Sequence, residues 1–263
     1  MKKNMLINNI PSTVMITGAT GGFGVAFAHR FAALGCKLVL TSRKKEVLEA
    51  LLADLSAQYQ AQVQGIILDV SDRAACAAAL RQLPQEFSDI DCLVNNAGGA
   101  FGLDPAYSAS LDDWDAMVDV NVKGLMYLTR LVLPRMVERK TGHIINIGSV
   151  AGERPYPGGH VYCGVKAFTH QFSHALRADL QGKGVRVSCI EPGLTETPFS
   201  LNRFKGDADR AAQVYAHTVP LTAEDVAEAV VWTACLPAHV NINTIEMMPT
   251  VQSFSPLAVY RES

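Results

Sequence analysis

The sequence predicts a single α/β domain whose strands form one parallel sheet, and three observations support this prediction. Along the chain of 263 residues, short apolar segments of strand length alternate with amphipathic helical segments, a pattern typical of parallel sheets with right-handed crossovers. The first strand, residues 13–17, runs into a glycine-rich turn that a helix follows at once. Small and polar residues follow the later strands, where such sheets bind their ligands.

Composition and charge limit the possible functions. The chain is 49% hydrophobic and 18% charged, which is typical of a globular protein rather than a disordered one. Its net charge of −2 argues against nucleic acid as a partner. No apolar run approaches the ~18 residues of a membrane span. The apolar stretch within the N-terminal extension, residues 1–11, is too short for the apolar region of a signal peptide. The six cysteines lack C-x-x-C spacing, which predicts reduced thiols in a cytoplasmic protein and no metal site.

The glycine-rich turn at residues 17–24 predicts a dinucleotide-binding site. Gly18, Gly22 and Gly24 are spaced Gly-x-x-x-Gly-x-Gly, which differs from the more common G-x-G-x-x-G pattern. Glycines let the backbone approach a pyrophosphate, and the free N–H groups at the start of the next helix, which runs to about Leu34, attract its charge.

The end of the second strand, residues 37–41, predicts the cofactor. Sites that prefer NAD place a carboxylate near this point for the ribose hydroxyl, yet no acidic residue occurs between Cys36 and Lys45. Arg43 follows the strand instead, and a guanidinium suits the 2′-phosphate of NADP. A solvated helix start is the alternative interpretation of Arg43 and the preferred one for Lys44 and Lys45.

The alternation continues with a helix at residues 44–59, a strand at 63–68, a helix at 73–83 and a strand at 91–94. Asp69 closes the third strand, where its carboxylate either accepts from an adenine amino group or caps the next helix. The fourth strand runs into a turn of small and amide residues, 95–98, at the predicted ligand-binding edge. Residues 111–137 then predict one long helix or two abutting ones, with Asn121 as a polar residue inside the apolar pattern.

The stretch from Ser149 to Lys166 predicts proton chemistry. Ser149 follows a strand at residues 142–148, and Tyr162 and Lys166 are four residues apart on the next helix, so they share one face. A phenol titrates near pH ~10 and is a poor base at neutrality, but a fixed cation favours the phenolate. Tyr162 would then exchange a proton with a substrate alcohol or ketone, while Ser149 donates a hydrogen bond to the same oxygen. Taken alone, Tyr-x-x-x-Lys equally fits a surface tyrosine packed on a lysine stem.

The last part of the chain completes the sheet. A strand at residues 182–190 leads into a proline-rich turn at 191–199. The polar segment 200–219 has weak patterning, and we interpret it as a mobile substrate lid. Residues 222–236 begin with a Thr-x-x-Asp capping box and predict a helix. Residues 243–247 predict the last strand and 248–263 a C-terminal tail. Without a linker or an internal repeat, residues 1–263 form a single predicted domain.

Taken together and in this order, the motifs resemble those of the short-chain dehydrogenase/reductase family. They are the glycine-rich turn, Asn95-Asn-Ala-Gly98, Asn121, Ser149, Tyr162-x-x-x-Lys166 and Pro192-Gly193. The resemblance covers roughly residues 12–250. It implies a Rossmann-type, doubly wound sheet of about seven parallel strands with helices on both faces. It also implies that the chain binds NADP and is an oxidoreductase acting on a small-molecule substrate.

The resemblance assigns roles by position. Tyr162 is the general acid and base, and Lys166 lowers its pKa and binds the nicotinamide ribose. Ser149 polarises the substrate carbonyl, and Asn121 holds a water that links Lys166 to solvent. The implied cofactor-binding residues follow the carboxyl ends of the strands, and they are Gly18, Thr20, Gly22, Phe23, Gly24, Ser42, Arg43, Asp69, Val70, Asn95, Ala97, Gly98, Tyr162, Lys166, Pro192, Gly193 and Thr197.

A closer likeness is to the NADP-dependent 3-hydroxy acid dehydrogenases, which oxidise L-serine, L-allo-threonine and 3-hydroxypropionate and reduce malonic semialdehyde. The stretches that carry this likeness are Leu194 and residues 155–159, 203–207, 236–244 and 246–249. The segment between Leu194 and Arg203 is one residue shorter than in that subgroup, which leaves the preferred hydroxy acid open. A substrate carboxylate needs cations or donors, and the candidates beside Ser149 are Arg203, Lys205, Arg154 and His160.

Two alternatives stay open at this stage. Other reductases of the family act on 3-oxoacyl thioesters, sugars or bicyclic ketones with the same machinery. A non-catalytic sensor that only binds NADP(H) needs no proton donor, so the complete catalytic set argues against it. Family members are usually tetramers or dimers built on helices such as 111–137 and 160–181, and the resemblance therefore implies a homo-oligomer.

Overall fold

The computed structural model describes residues 9–254, and they contain one sheet of seven parallel strands. The strands are β1 (Thr13–Ile16), β2 (Lys37–Ser42), β3 (Val63–Ile67), β4 (Cys92–Asn95), β5 (Gly142–Ile147), β6 (Val185–Pro192) and β7 (Thr244–Met247). Their order across the sheet is β3-β2-β1-β4-β5-β6-β7. From β1 the strand order runs outward to β3 on one side and from β4 to β7 on the other, so the connections change direction between β1 and β4. Doubly wound sheets bind their ligands at this point. The predicted fold is confirmed, while residues 1–8 of the predicted extension and 255–263 of the predicted tail lie outside the described residues.

Helices cover both faces of the sheet. They are α1 (Gly22–Ala33), α2 (Lys45–Tyr59), α3 (Arg73–Arg81), α4 (Leu111–Val118), α5 (Leu125–Arg139), α6 (His160–Asp179), α7 (Phe199–Arg203), α8 (Ala208–Gln213) and α9 (Ala223–Ala234). Side chains of α1, α2 and α9 pack with Val14 and Ile16 of β1 in one core. Side chains of α3, α5 and α6 pack with Met15 of the same strand in a second core. Because successive strand residues face opposite sides, β1 contributes apolar side chains to both cores.

The predicted long helix at 111–137 is one continuous helical run with an irregularity in its middle. A π-helical segment, Asp119–Gly124, joins α4 to α5. The wider turn changes the direction in which its side chains point, and such segments are frequent at functional sites. Asn121 lies in this segment and is 3% exposed, so the break positions a buried amide.

The predicted lid at residues 200–219 contains more regular structure than its weak patterning suggested. It includes the short helices α7 and α8. The Tyr215 hydroxyl lies 2.6 Å from the Ser200 hydroxyl and donates to the Thr195 carbonyl at 3.2 Å, so the segment is tied to the loop after β6. Short helices carry too few residues to show a clear period, which explains why the sequence missed them.

The helix predicted after Thr222 is confirmed as α9. The Asp225 N–H donates to the Thr222 hydroxyl at 3.2 Å, and the Thr222 N–H donates to the Asp225 carboxylate at 2.8 Å, which makes the predicted capping box. Within the described part of the chain, none of the helices combines the length and apolar character that crossing a bilayer requires.

Candidate active site

The predicted site residues collect at one edge of the sheet, because the strands are parallel and all their carboxyl ends meet there. The glycine-rich turn follows β1, Arg43 follows β2, and Ser149 follows β5. The loop after β6 reaches the glycine-rich turn: a side chain at Gly22 would place its Cβ 2.8 Å from the Thr197 Cβ. The structure therefore brings together segments from most of the chain.

The glycine-rich turn is built to accept an anion. Gly18 has a φ of +61°, a conformation that glycine adopts without strain, and a Cβ there would lie 2.9 Å from the Ala97 Cα. Gly21 precedes α1 without any side-chain cap, and the first turn of α1 carries no acidic residue. The first N–H groups of α1 are thus left for a bound phosphate.

Two residues that the sequence analysis did not single out hold this turn in place. The Thr17 hydroxyl accepts from the N–H groups of Asn96 and Ala97 at 2.9 and 2.8 Å. The Asn96 amide donates to the carbonyls of Thr17 and Gly18 at 2.8 and 3.1 Å. The ends of β1 and β4 are therefore cross-linked by side chains directly behind the predicted pyrophosphate position.

The side chain of Asn95, a predicted cofactor-binding residue, points into the fold. Its side chain is 4% exposed, and its amide donates to Thr129 at 2.9 Å and to Asn146 at 2.8 Å. These partners belong to α5 and β5, so the side chain braces the interior of the sheet rather than lining the predicted cofactor site.

The ends of β2 and β3 carry the groups predicted to select the cofactor. The Arg43 side chain is 67% exposed, and its Nη1 lies 3.9 Å from Asp69 Oδ2. Asp69 accepts from both the N–H and the hydroxyl of Ser71. Burial raises the pKa of Asp69, but the Ser71 hydrogen bonds and the Arg43 charge outweigh that effect and lower it overall. Asp72, not Asp69, caps α3, so the helix-cap alternative was wrong.

Ser149, Tyr162 and Lys166 form the centre of the site. Tyr162 and Lys166 lie on the first turns of α6 and are 9% and 7% exposed. Lys166 donates to the Ile147 carbonyl at 2.9 Å, and its Nζ lies 5.7 Å from the centroid of the Tyr162 ring. The Ser149 hydroxyl accepts from the Ala151 N–H at 3.1 Å and lies 3.4 Å from the Pro192 carbonyl.

The expected effect of Lys166 on Tyr162 needs correction. Burial raises the pKa of Tyr162 above its ordinary value of 10, and the nearby Tyr156 phenol adds to this. A hydrogen bond from Ser149 and the Arg203 guanidinium act in the opposite direction. Burial lowers the pKa of Lys166 to about 8. Desolvation therefore dominates both groups, and the cation that favours the phenolate in this structure is Arg203.

Asn121, Gly98 and Lys166 meet beside the centre. The Asn121 amide donates to the carbonyls of Gly99 and Met117 at 2.9 and 2.8 Å. A Cβ at Gly98 would lie 2.6 Å from the Asn121 Oδ1 and 3.7 Å from the Lys166 Nζ. Only glycine leaves this space open between the amide and the ammonium group.

Arg203 lies beside Tyr162, the residue predicted to be the general acid and base. It is 9% exposed, its Nε donates to the Gly102 carbonyl at 3.0 Å, and its Nη1 donates to the Tyr156 hydroxyl at 2.9 Å. The guanidinium carbon lies 5.7 Å from the centroid of the Tyr162 ring. No carboxylate among residues 9–254 pairs with it. An unpaired, largely buried cation beside Tyr162 is suited to an anionic ligand.

The other three residues predicted to bind the substrate carboxylate already have partners within the protein. Lys205 pairs with Asp113 at 2.9 Å and has a 63% exposed side chain. Arg154 pairs with Glu153 at 2.9 Å and Glu246 at 3.5 Å.

His160 accepts from the Val161 N–H through Nδ1 at 2.9 Å, and its Nε2 lies 3.0 Å from the Asp104 carbonyl oxygen. The structure thus supports Arg203 and not Lys205, Arg154 or His160. Sequence could not distinguish them, because Glu246, Asp113 and the Asp104 carbonyl, which contact Arg154, Lys205 and His160, lie far away in the chain.

Glu153, His170 and Glu191 form a cluster of the residue types that bind metals. His170 Nδ1 lies 2.7 Å from Glu191, whereas its other nitrogen, Nε2, lies 3.7 Å from Glu153. One ligand atom from each of the three residues lies within 4.8 Å of the other two.

Comparisons with known proteins agree with this geometry. Residues 12–208 match the profile of the family described as short chain dehydrogenase. The NADP-dependent 3-hydroxy acid dehydrogenase YdfG of Salmonella typhi is 55% identical over 249 residues, which cover 94% of this chain and 99% of that protein. The serine 3-dehydrogenase of Rhizobium radiobacter is 49% identical over 251 residues, 95% of this chain and 99% of that one. The closed form of a serine dehydrogenase complexed with NADP+ superposes with a TM-score of 0.91 at 53% identity, covering 95% of this chain and 100% of that one.

Proposed function

The chain belongs to the short-chain dehydrogenase family, and from this premise we propose that it interconverts a small 3-hydroxy acid and its 3-oxo form with NADP(H). The substrates we propose are of the L-serine, L-allo-threonine and 3-hydroxypropionate type. The observation that carries the proposal is the buried Arg203 guanidinium beside Tyr162 without a carboxylate partner among the described residues. The relatives of 49–55% identity described above act on hydroxy acids or serine by name.

The residues at the sheet edge fit NADP. The uncapped start of α1 and the left-handed glycine turn at Gly18 suit the pyrophosphate. The exposed Arg43 guanidinium suits the 2′-phosphate, and Lys166 suits the nicotinamide ribose. When bound, NADP+ accepts the hydride from the carbon that bears the hydroxyl.

The chain itself supplies proton transfer and orientation. In the oxidation direction Tyr162 takes the proton of the substrate hydroxyl, and Ser149 hydrogen-bonds the same oxygen. Because burial holds the Tyr162 pKa high, the phenolate depends on nearby positive charge. We propose that Asn121 and Lys166, which flank Gly98, hold the water that passes the proton to solvent. Arg203 binds the substrate carboxylate.

The two alternatives are not favoured. Reductases of thioesters, sugars or bicyclic ketones act on carbonyl groups whose neighbours carry no carboxylate, so Arg203 would be left buried without a partner. A sensor needs neither Tyr162 nor Ser149 in position. The relatives of 49–55% identity bear dehydrogenase names, which supports catalysis.

We further propose that the enzyme is a cytoplasmic homo-oligomer, either a tetramer or a dimer. All six cysteines are free, as is usual in reducing compartments. The helices proposed to form the contacts carry incompletely buried apolar residues, including Met126 on α5 at 36% exposure and the stacked pair Phe168 and Phe172 on α6. Light scattering of the purified protein distinguishes monomer, dimer and tetramer.

A substrate panel tests the proposed activity. NADP+ reduction is followed at the nicotinamide absorbance with L-serine, L-allo-threonine and 3-hydroxypropionate, and with NAD+ in parallel as the cofactor control. We expect turnover with NADP+ and little with NAD+. NADPH consumption with thioesters or neutral ketones, and none of the hydroxy acids oxidised, would replace the substrate class but keep the catalytic residues. NADPH binding without turnover of either panel would favour the sensor.

A further inference from the structure

Tyr156 brings a second tyrosine ring against Arg203, the residue that also lies beside Tyr162. It precedes α6 in the loop at residues 155–159 and was assigned no role from the sequence. Its hydroxyl accepts from Arg203 Nη1 at 2.9 Å, and the Arg203 guanidinium carbon lies 5.3 Å from its ring centroid. The same guanidinium carbon lies 5.7 Å from the Tyr162 ring centroid. Arg203 thus lies against both tyrosine rings.

The Tyr156 hydroxyl has a hydrogen to donate. Its oxygen accepts from Arg203, and no atom of residues 9–254 accepts a hydrogen bond from it. Burial raises the pKa of Tyr156 despite the opposing charge of Arg203, so the phenol keeps its proton at neutral pH. The hydroxyl hydrogen of Tyr156 is therefore left without an acceptor among these residues.

The loop fixes the ring before any ligand binds. A Cβ at Gly159 would lie 2.8 Å from the Tyr156 ring and 2.7 Å from the Cys163 Sγ, so the ring packs directly on the backbone. Gly158 has a φ of +77°, and a side chain there would collide with the Leu103 carbonyl. A donor held in this way loses little conformational entropy on binding.

We propose that Tyr156 and Arg203 together form the receptor for the substrate carboxylate. The Tyr156 hydroxyl donates to one carboxylate oxygen while the Arg203 guanidinium binds the other. This assignment rests on the proposed function, because it presumes a carboxylated substrate oriented by Tyr162. Two fixed donors define both the position and the plane of the carboxylate, so the pocket selects acids whose hydroxyl lies two carbons away.

The test compares Tyr156→Phe with the matched control Tyr59→Phe, whose hydroxyl lies near His29 at the far end of α2. Turnover is measured with 3-hydroxypropionate and with its methyl ester, which lacks the carboxylate. Binding of 3-hydroxypropionate to the enzyme–NADPH complex, which cannot turn over, is measured by calorimetry. Loss of a hydrogen bond to a charged group predicts a roughly 10- to 100-fold loss in kcat/KM and in affinity for the acid. For the ester, kcat/KM should change less than about threefold.

The outcomes separate the inference from the proposed function. If Tyr156→Phe lowered kcat/KM equally for the acid and the ester, or for neither, the role of Tyr156 would be overturned. Activity of the wild type on the acid would still uphold the proposed function. If the wild type turned over only the ester, both the proposed function and the role of Tyr156 would be overturned. The same substitution is also made in an Arg203→Met background: a further loss of about tenfold in kcat/KM for the acid indicates direct donation. No further loss would show that Tyr156 acts only by positioning Arg203, and would also overturn the proposal.

Discussion

The guanidinium carbon of Arg203 lies 5.7 Å from the centroid of the Tyr162 ring, although one residue ends α7 and the other lies on the first turn of α6. The contact places the cation proposed to bind the substrate carboxylate beside the group proposed to transfer the proton. In a 3-hydroxy acid the two groups to be recognised are separated by only two carbons, so one small pocket reaches both. The same cation opposes the effect of burial on the Tyr162 pKa. Substrate recognition and proton transfer are therefore linked through one side chain.

Tyr162→Phe removes the proposed acid and base and keeps the ring. We expect kcat to fall by at least about 100-fold, while the affinity for NADPH, measured by its fluorescence, changes less than about threefold. Tyr59→Phe serves as the matched control and should behave like wild type. Turnover within tenfold of the wild-type rate would contradict the assignment of Tyr162.

Arg203→Met removes the buried cation and keeps an apolar stem of similar length. We expect KM for 3-hydroxypropionate to rise by roughly 10- to 100-fold, because a charge-assisted hydrogen bond is lost. KM for the neutral methyl ester should change little. Lys205→Met is the control, since Lys205 pairs with Asp113 on the surface. Similar increases in KM for the acid and the ester would remove Arg203 from carboxylate binding.

Arg43→Ala tests the cofactor assignment. The exposed guanidinium has only a distant ion pair, 3.9 Å from Asp69, so its loss should affect folding little. We expect kcat/KM for NADP+ to fall by roughly 10- to 100-fold with little change for NAD+. Lys45→Ala, which removes an exposed cation paired with Glu49, is the control. An unchanged ratio of kcat/KM for NADP+ to that for NAD+ would show that another residue selects the phosphate.

Lys166→Met tests the free-energy cost of burying the Lys166 ammonium group. In the fold its pKa is about 8, below the ordinary 10.5, so between these values the unfolded chain binds more protons and the free energy of unfolding rises with pH. Below pH 8 the folded wild type bears the full free-energy cost of burying the charged Lys166 side chain. We therefore expect the inactive variant to be more stable at pH 7 without cofactor, by about 1–3 kcal/mol, and this advantage to shrink from pH 8 to 10.5.

Urea unfolding across that pH range measures the difference. Lys183→Met, at an exposed position after α6, is the control and should show no such trend. A Lys166→Met variant that is less stable than wild type at pH 7 would show that the hydrogen bond to Ile147 outweighs desolvation.

Local patterns explain why the fold was predictable from the sequence. Strand and helix periodicities, the glycine-rich turn and the Thr222 capping box each depend on neighbouring residues. Their order then leaves few topologies, since connections are short and crossovers right-handed. Less regular features were not predicted. The π-helical segment around Asn121 has the sequence pattern of an ordinary α-helix, and α7 and α8 are too short to show a helical period.

The parallel sheet, its ligand-binding edge and the shared face of Tyr162 and Lys166 were predictable, because local periodicity and spacing specify them. Which charged side chains stay without a carboxylate partner depends on contacts between distant segments. Arg154 and Lys205 are neutralised by carboxylates from other segments, whereas Arg203 is buried among carbonyls and tyrosines. The tertiary structure also revealed Tyr156 and turned the Asn95 amide inward. Side-chain direction and burial arise from packing between distant parts of the chain, and no local spacing encodes them.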